Sequence, residues 1–159
     1  MHPRAQQLIE KLQLVPHPEG GYYREVYRSP LPVHSERVGA VRAALTDIYF
    51  LLPAGQVSRW HRVAHDELWN FYAGAPLALL QLSADLQRLH RHQLDGATGN
   101  YKQLIPGGSW QAAESAGEYT LVGCSVAPGF DFSDFRLLRE LPESAARIHA
   151  EYPDLVRLL

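Results

Sequence analysis

One cysteine, Cys124, is the only thiol in the sequence, so no disulfide can form within it. That scarcity fits a reducing compartment, and a cytoplasmic location is expected. No apolar run approaches the ~20 residues a membrane-spanning helix needs. Met1-His-Pro-Arg4 leads into a mixed polar and apolar run, unlike the apolar centre of a secretion signal. Neither sign of charge dominates: 15 Lys and Arg stand against 17 Asp and Glu, a formal net charge of −2. This balance gives no electrostatic reason to expect nucleic acid or an anionic membrane as a partner. Repeats, polar linkers and low-complexity tracts are also missing, so residues 1–159 read as one domain around one core.

What is present is mostly strand-like. A short helix is expected over Pro3 to Leu14, with Ala5, Leu8, Ile9 and Leu12 as one apolar stripe and Pro16 and Pro18 stopping it. Gly20-Gly21 then bends into a strand reaching Tyr27, with Tyr22, Arg24 and Val26 on one face and Tyr23, Glu25 and Tyr27 on the other. Ser29 to Gly39 reads as a loop, long enough for a lid or a partner-binding arm. Strands follow at Leu45–Leu52, Val57–Val63, Leu68–Ala73, Pro76–Ser83 and Leu86–Leu94. Others follow at Tyr101–Ile105, Trp110–Ala113 and Glu118–Val126, separated by Gly- and Pro-bearing turns. Such spacing, without helical interruption, indicates an all-β sandwich or barrel. Phe130 to Leu138 is one further strand or an irregular arm. A helix over Pro142 to Glu151 and an apolar tail, Leu155 to Leu159, close the chain.

The most polar-patterned stretch is Gly55 to Gly74. His61 and Glu67 lie on opposite arms of an expected hairpin and can point into one space. Imidazole nitrogen and carboxylate oxygen hold transition metals, and they also transfer protons near neutral pH. Cys124 sits in the apolar run Tyr119–Val126, which favours a small buried hydrophobe over a nucleophile. His17, His34, His90, His92 and His149 are scattered and read as surface residues.

Gly55, His61, Glu67 and Gly74 follow the spacing of the first signature of the cupin superfamily, with Val63 at the place of its second histidine. Pro106 and Gly108 follow the second signature, with Gln111 where a histidine would stand. The chain more closely resembles the small one-domain "cupin family five" branch. The matching segments are Pro18 to Glu25, Trp60-His61-Arg62, Asp66 to Trp69, Tyr72 to Leu77, Pro106 to Gln111 and Val126 to Phe132. The resemblance implies an all-β, cupin-type double-stranded β-helix, that is, a jelly-roll barrel, with an N-terminal helix and short C-terminal helices. It also implies a polar pocket inside one end of the barrel and, commonly, a homodimer. It implies no particular reaction.

Three functional readings stand side by side. A divalent-metal cupin would use His61, Glu67, Gln111 and, if the corner turns it inward, His65. Two of the usual four donors are replaced here, which argues against tight binding. A metal-independent isomerase or epimerase of a sugar or acidic metabolite would use His61 and Glu67 with Tyr22, as in cupins that isomerise sugar nucleotides. Arg24 would then anchor an acidic group, and Tyr119 would line the cavity. A non-catalytic module would hold a small molecule in the same pocket. Arg59, Trp69, Phe71 and Gln111 join Arg24 and Tyr119 as candidate ligand-binding residues.

Overall fold

The computed structural model describes all residues, Met1–Leu159. Helix α1 (Pro3–Leu12) has His2 as its N-cap, the imidazole accepting from the Arg4 N–H, and ends where Gln13 turns left-handed at φ 54°. The strands are β1 (Val15–Pro16), β2 (Tyr22–Arg28), β3 (Pro32–Ser35), β4 (Ala40–Ala43), β5 (Thr46–Pro53), β6 (Val57–Arg62) and β7 (Asp66–Gly74). They continue with β8 (Leu77–Leu82), β9 (Leu89–Leu94), β10 (Lys102–Ile105), β11 (Trp110–Ser115), β12 (Tyr119–Ala127) and β13 (Arg136–Leu137), and helix α2 (Pro142–Glu151) follows.

Two antiparallel sheets form a jelly roll. One has the order β1-β2-β5-β12-β7-β10 and the other β13-β6-β11-β8-β9. From β5 to β8 every connection crosses from one sheet to the other, and so does every connection from β9 to β12. The expected hairpin of Gly55–Gly74 is therefore not a hairpin. β6 and β7 belong to different sheets and share no ladder. The corner Val63–His65 carries the chain from one sheet to the other, so the inward side chains of β6 and β7 face each other across the barrel.

Sequence alternation sorts residues to the two faces of each sheet. Inside, Phe50, Leu52, Trp69, Leu77, Leu79 and Val122 fill one end of the barrel. Outside, the stripe of α1 packs Ala5 and Leu8 onto Leu51 and Leu121. The outer face of the other sheet buries Trp60 and Trp110 beneath Leu138, Ile148, Leu155 and Leu158 of the C-terminal helices. The apolar tail thus docks through a 3-10 helix, Pro153–Leu158.

Two expectations for loops change. Ser29–Gly39 is not open loop, because β3 and β4 pair from Pro32↔Ala43 to Ser35↔Ala40. The Phe130–Leu138 segment is a 3-10 turn (Phe132–Asp134) followed by β13, which extends the second sheet beside β6. No helix is long and apolar enough to cross a membrane.

Candidate functional site

The apolar filling stops partway, and the other end of the barrel holds a cavity of about 460 Å³. His61 from β6 and Glu67 from β7 both line it and are 2% and 7% exposed. They meet because the two strands sit in facing sheets.

His61 is positioned by an irregularity. Between the pairs Gln111↔His61 and Ala113↔Ser58, Arg59 and Trp60 of β6 oppose Ala112 of β11 alone, so two residues oppose one. Such a bulge resets alternation. It turns both Ser58 and His61 toward the interior. The bulged Arg59 keeps its carbonyl for the ring: His61 Nδ1–H donates to Arg59 O at 2.7 Å. A carbonyl only accepts, so the proton of the neutral ring is on Nδ1 and its lone pair is on Nε2.

Gln111 fixes the other side of this arrangement. Trp69 Nε1–H, which can only donate, reaches Gln111 Oε1 at 2.9 Å. The Gln111 NH₂ group must therefore face the cavity floor. It donates to His61 Nε2 at 3.1 Å and to Glu67 Oε2. Burial, opposed by the nearby Glu67 and the Arg59 carbonyl, holds the His61 pKa below its ordinary value. Burial also lifts Glu67 above the usual carboxylate range, against His61 and the Gln111 amide. The His61 ring is thus neutral near pH 7, and Glu67 holds its proton more firmly than an exposed carboxylate does.

Two further groups arrive from the turn between β1 and β2. Glu19 is 5% exposed. Its Oε1 accepts from Ser58 Oγ at 2.7 Å, and its carbonyl accepts from the bulged Arg59 N–H at 2.9 Å. Its Oε2 lies 3.2 Å from His61 Nε2 and 3.4 Å from His17 Nδ1. Burial pushes the Glu19 pKa up to about 8, with Ser58 opposing. Burial and the neighbouring His61 push His17 down to about 3. The geometry alone would allow an ion pair. The unrelieved burial decides for a carboxylic acid flanked by two imidazoles. Gly20 makes this approach possible: at φ +112°, a Cβ there would sit 2.1 Å from Val57 O.

The β2 wall of the cavity is set by a second bulge. Tyr23 and Glu25 pair with Phe50 and Ile48, then Val26 is extra, and Arg28 pairs with Thr46. Tyr23, Glu25 and Arg28 therefore face inward, and Tyr27 does not take the place that strict alternation gives it. Phe130 and Phe132 close the mouth.

Several sequence-predicted residues lie elsewhere. Tyr22, Arg24 and Tyr119 are on the outer face of the six-stranded sheet. Tyr22 and Tyr119 pack with the α1 cluster, and Arg24 donates to Leu12 O. Arg59 opens on a separate polar groove with Arg157, because the bulge turns it away. Trp69 and Phe71 point inward but belong to the packed end, where Trp69 orients Gln111 and Phe71 adjoins the core. His65 bonds Ser35 Oγ at 2.6 Å, since the corner after Val63 turns it toward the β3–β4 hairpin. His17, expected at the surface, has a side chain only 6% exposed. Cys124 is buried and lines the cavity beside Glu67, where burial raises its pKa well above its ordinary value. Sequence reasoning missed Glu19, His17 and Arg28 as lining residues. The first two were signalled by an acid and an imidazole held in His17-Pro-Glu-Gly-Gly21, among residues that restrict the backbone.

The family model described as "Cupin superfamily (DUF985)" matches residues 6–138. The chain belongs to this cupin family. Three similar proteins accompany the match. A hypothetical protein from Leishmania major is 34% identical over 97% of this chain and 95% of its own, with a TM-score of 0.83. A Shewanella oneidensis protein is 36% identical over 98% and 96%, with a TM-score of 0.80. An uncharacterized Saccharomyces cerevisiae protein is 29% identical over 90% of this chain and 83% of its own length.

Metal-binding cupins place donors at the positions of His61, Val63, Glu67 and Gln111. The residues of this cupin do not fit such a centre. Val63 has no donor atom, and the Gln111 oxygen is held by Trp69. The Gln111 N–H groups are aimed at His61 Nε2 and Glu67 Oε2, the lone pairs a cation would need. No group of three or more His, Cys, Asp or Glu side chains is arranged to hold a metal ion. An amide NH₂ bridges the two side chains that a metal would join.

Proposed function

We propose that this cupin is a metal-independent acid–base enzyme, an isomerase or epimerase of a small hydroxy- or oxo-compound held in the barrel. The observation that carries this reading is the buried contact of Glu19 Oε2 with His61 Nε2 at 3.2 Å. A general acid works best when its pKa lies near the working pH, and Glu19 is pushed up to about 8. In the forward step His61 Nε2 takes a proton from the carbon beside a carbonyl, while Glu19 gives its own proton to the carbonyl oxygen. The substrate becomes a neutral enol. The imidazolium and carboxylate formed together stabilise each other in a site of low dielectric. Return of a proton to the other face or the adjacent carbon completes an epimerisation or an isomerisation. Gln111 and the Arg59 carbonyl hold the ring in position, and Trp69 holds Gln111. Glu67 and His17 complete the polar floor and wall.

A panel of compounds takes the place of a single substrate in the test. Chelator-treated protein is incubated in D₂O with small aldoses, ketoses, hydroxy-ketones and amino-ketones, and carbon-bound deuterium is followed by NMR. The expected result is exchange into at least one compound, reduced about a hundredfold or more by Glu19→Gln and by His61→Ala. Exchange that requires added metal, or none with any compound, would contradict the proposal.

A further inference from the structure

The cavity has an unbalanced inventory of charged groups. Four carboxyl groups line it: Glu19, Glu25, Glu67 and Asp131. Its only lysine or arginine is Arg28, and that cation is already engaged. Arg28 Nε and Nη2 donate to the two Glu25 oxygens at 2.9 and 2.7 Å, and Nη2 also donates to Phe130 O at 3.1 Å. Asp131 accepts only from the Ser133 N–H and hydroxyl. Glu67 is addressed by the Gln111 amide, with the Cys124 thiol alongside, and by no arginine or lysine. The one arginine an anionic ligand would meet is already paired with Glu25, and Arg24, the anchor expected from the sequence, faces outward. A carboxylate or phosphate would have to compete with Glu25 for Arg28 and bring its charge beside the other acids, which is costly in a part-desolvated site.

Aromatic rings stand among these acids in the lining. Tyr23, Phe130 and Phe132 line the cavity with His17, whose ring lies 4.5 Å from Tyr23 and 6.0 Å from Phe132, stacked on the latter. Phe130 and Phe132 meet edge to face at 4.9 Å. Ring faces carry partial negative charge and attract organic cations.

We propose that the ligand of this cavity is a small organic ammonium compound, its cationic head seated between Glu67 and these aromatic rings. The inference builds on the proposed function by naming its substrate class: an oxo- or hydroxy-ammonium compound whose head rests on Glu67 while Glu19 and His61 act on the oxygenated end. Glu67, only 7% exposed and without an arginine or lysine partner, releases its proton to solvent as the ammonium head binds and so becomes its counter-charge.

Three isosteric probes separate the possibilities: choline, the uncharged 3,3-dimethylbutan-1-ol and the anionic 3,3-dimethylbutanoate. Binding of each is measured by calorimetry at fixed pH on the wild type, Glu67→Gln and Glu19→Gln. Choline is expected to bind about tenfold or more tighter than the alcohol, and the butanoate weakest of all. Glu67→Gln is expected to bring choline down to the alcohol's affinity while leaving the alcohol unchanged. Glu19→Gln is expected to keep the preference. Equal binding of choline and alcohol, tighter binding of the butanoate, no binding of any probe, or a preference that survives Glu67→Gln would overturn the inference. Because the readout is binding, it stands apart from turnover. Cation preference without deuterium exchange would defeat only the proton-transfer proposal, and exchange without cation preference would defeat only this inference.

Discussion

Glu19 keeps its proton because nothing nearby repays the loss of water. Its partners are a hydroxyl and two imidazoles, and burial outweighs them. This has a consequence for stability. Unfolded, Glu19 ionises near its ordinary 4.5; folded, it ionises near 8. As pH rises from 4.5 the unfolded chain gives up that proton first, so the stability Glu19 contributes in acid is lost up to about pH 8. His17 acts in the opposite sense: folded near 3 and unfolded near 6.5, it lowers stability as pH falls through that window. The two offset each other between about 4.5 and 6.5, and above that Glu19 acts alone. Urea unfolding should therefore show a fall of about 2 kcal/mol between pH 6.5 and 8. Glu67, raised by burial, acts in the same direction. Glu19→Gln, which cannot ionise, should flatten much of that fall; an unchanged slope would show that Glu19 ionises normally in the folded protein.

The site depends on elements that break their own period. A bulge in β6 turns Ser58 and His61 to one side, and the β1–β2 turn docks on that bulge through Arg59. Gly20 is the residue at which the turn and β6 come closest. Gly20→Ala should cost about 3 kcal/mol or more in chemical unfolding, because both the left-handed φ and the contact with Val57 O oppose a side chain. It should also displace Glu19, so that the decline in stability above pH 6.5 disappears with it. A loss below about 0.5 kcal/mol would show that the turn does not need that approach. These breaks in period also mark what the sequence reveals and what it hides. Strand positions from β5 to β12 were readable from alternation and turn residues, and motif spacing marked His61, Glu67 and Gln111 as a group. Arg24 and Arg28 could not be told apart as the inward arginine, because the bulge at Val26 leaves no mark in the alternation. Glu19 could not be placed beside His61 either, since their contact spans 42 residues and depends on both the β6 bulge and the turn that docks on it. The convergence of His61 and Glu67 was expected for a mistaken reason, a hairpin, when the two strands actually face each other from separate sheets.

At the scale of the whole molecule the jelly roll is a container filled from one end. Three tryptophans and the aliphatic core occupy the packed layers. The polar cluster sits where that filling stops, and the segment from Phe130 to Phe135 crosses its mouth, tied down by the paired contacts of Arg42 with Asp134 at 2.8 and 2.7 Å. Closure removes water from His17, Glu19, His61 and Glu67 together, and this shared burial makes a neutral acid–base couple rather than an ion pair or a metal centre. Long-range ¹H–¹⁵N NMR of the histidine rings between pH 5 and 9 tests that claim most directly. A neutral couple predicts that near pH 7 His61 is the Nδ1–H tautomer with an unprotonated Nε2. An imidazolium signature at neutral pH, or nitrogen shifts that move when a chelator is added, would contradict it.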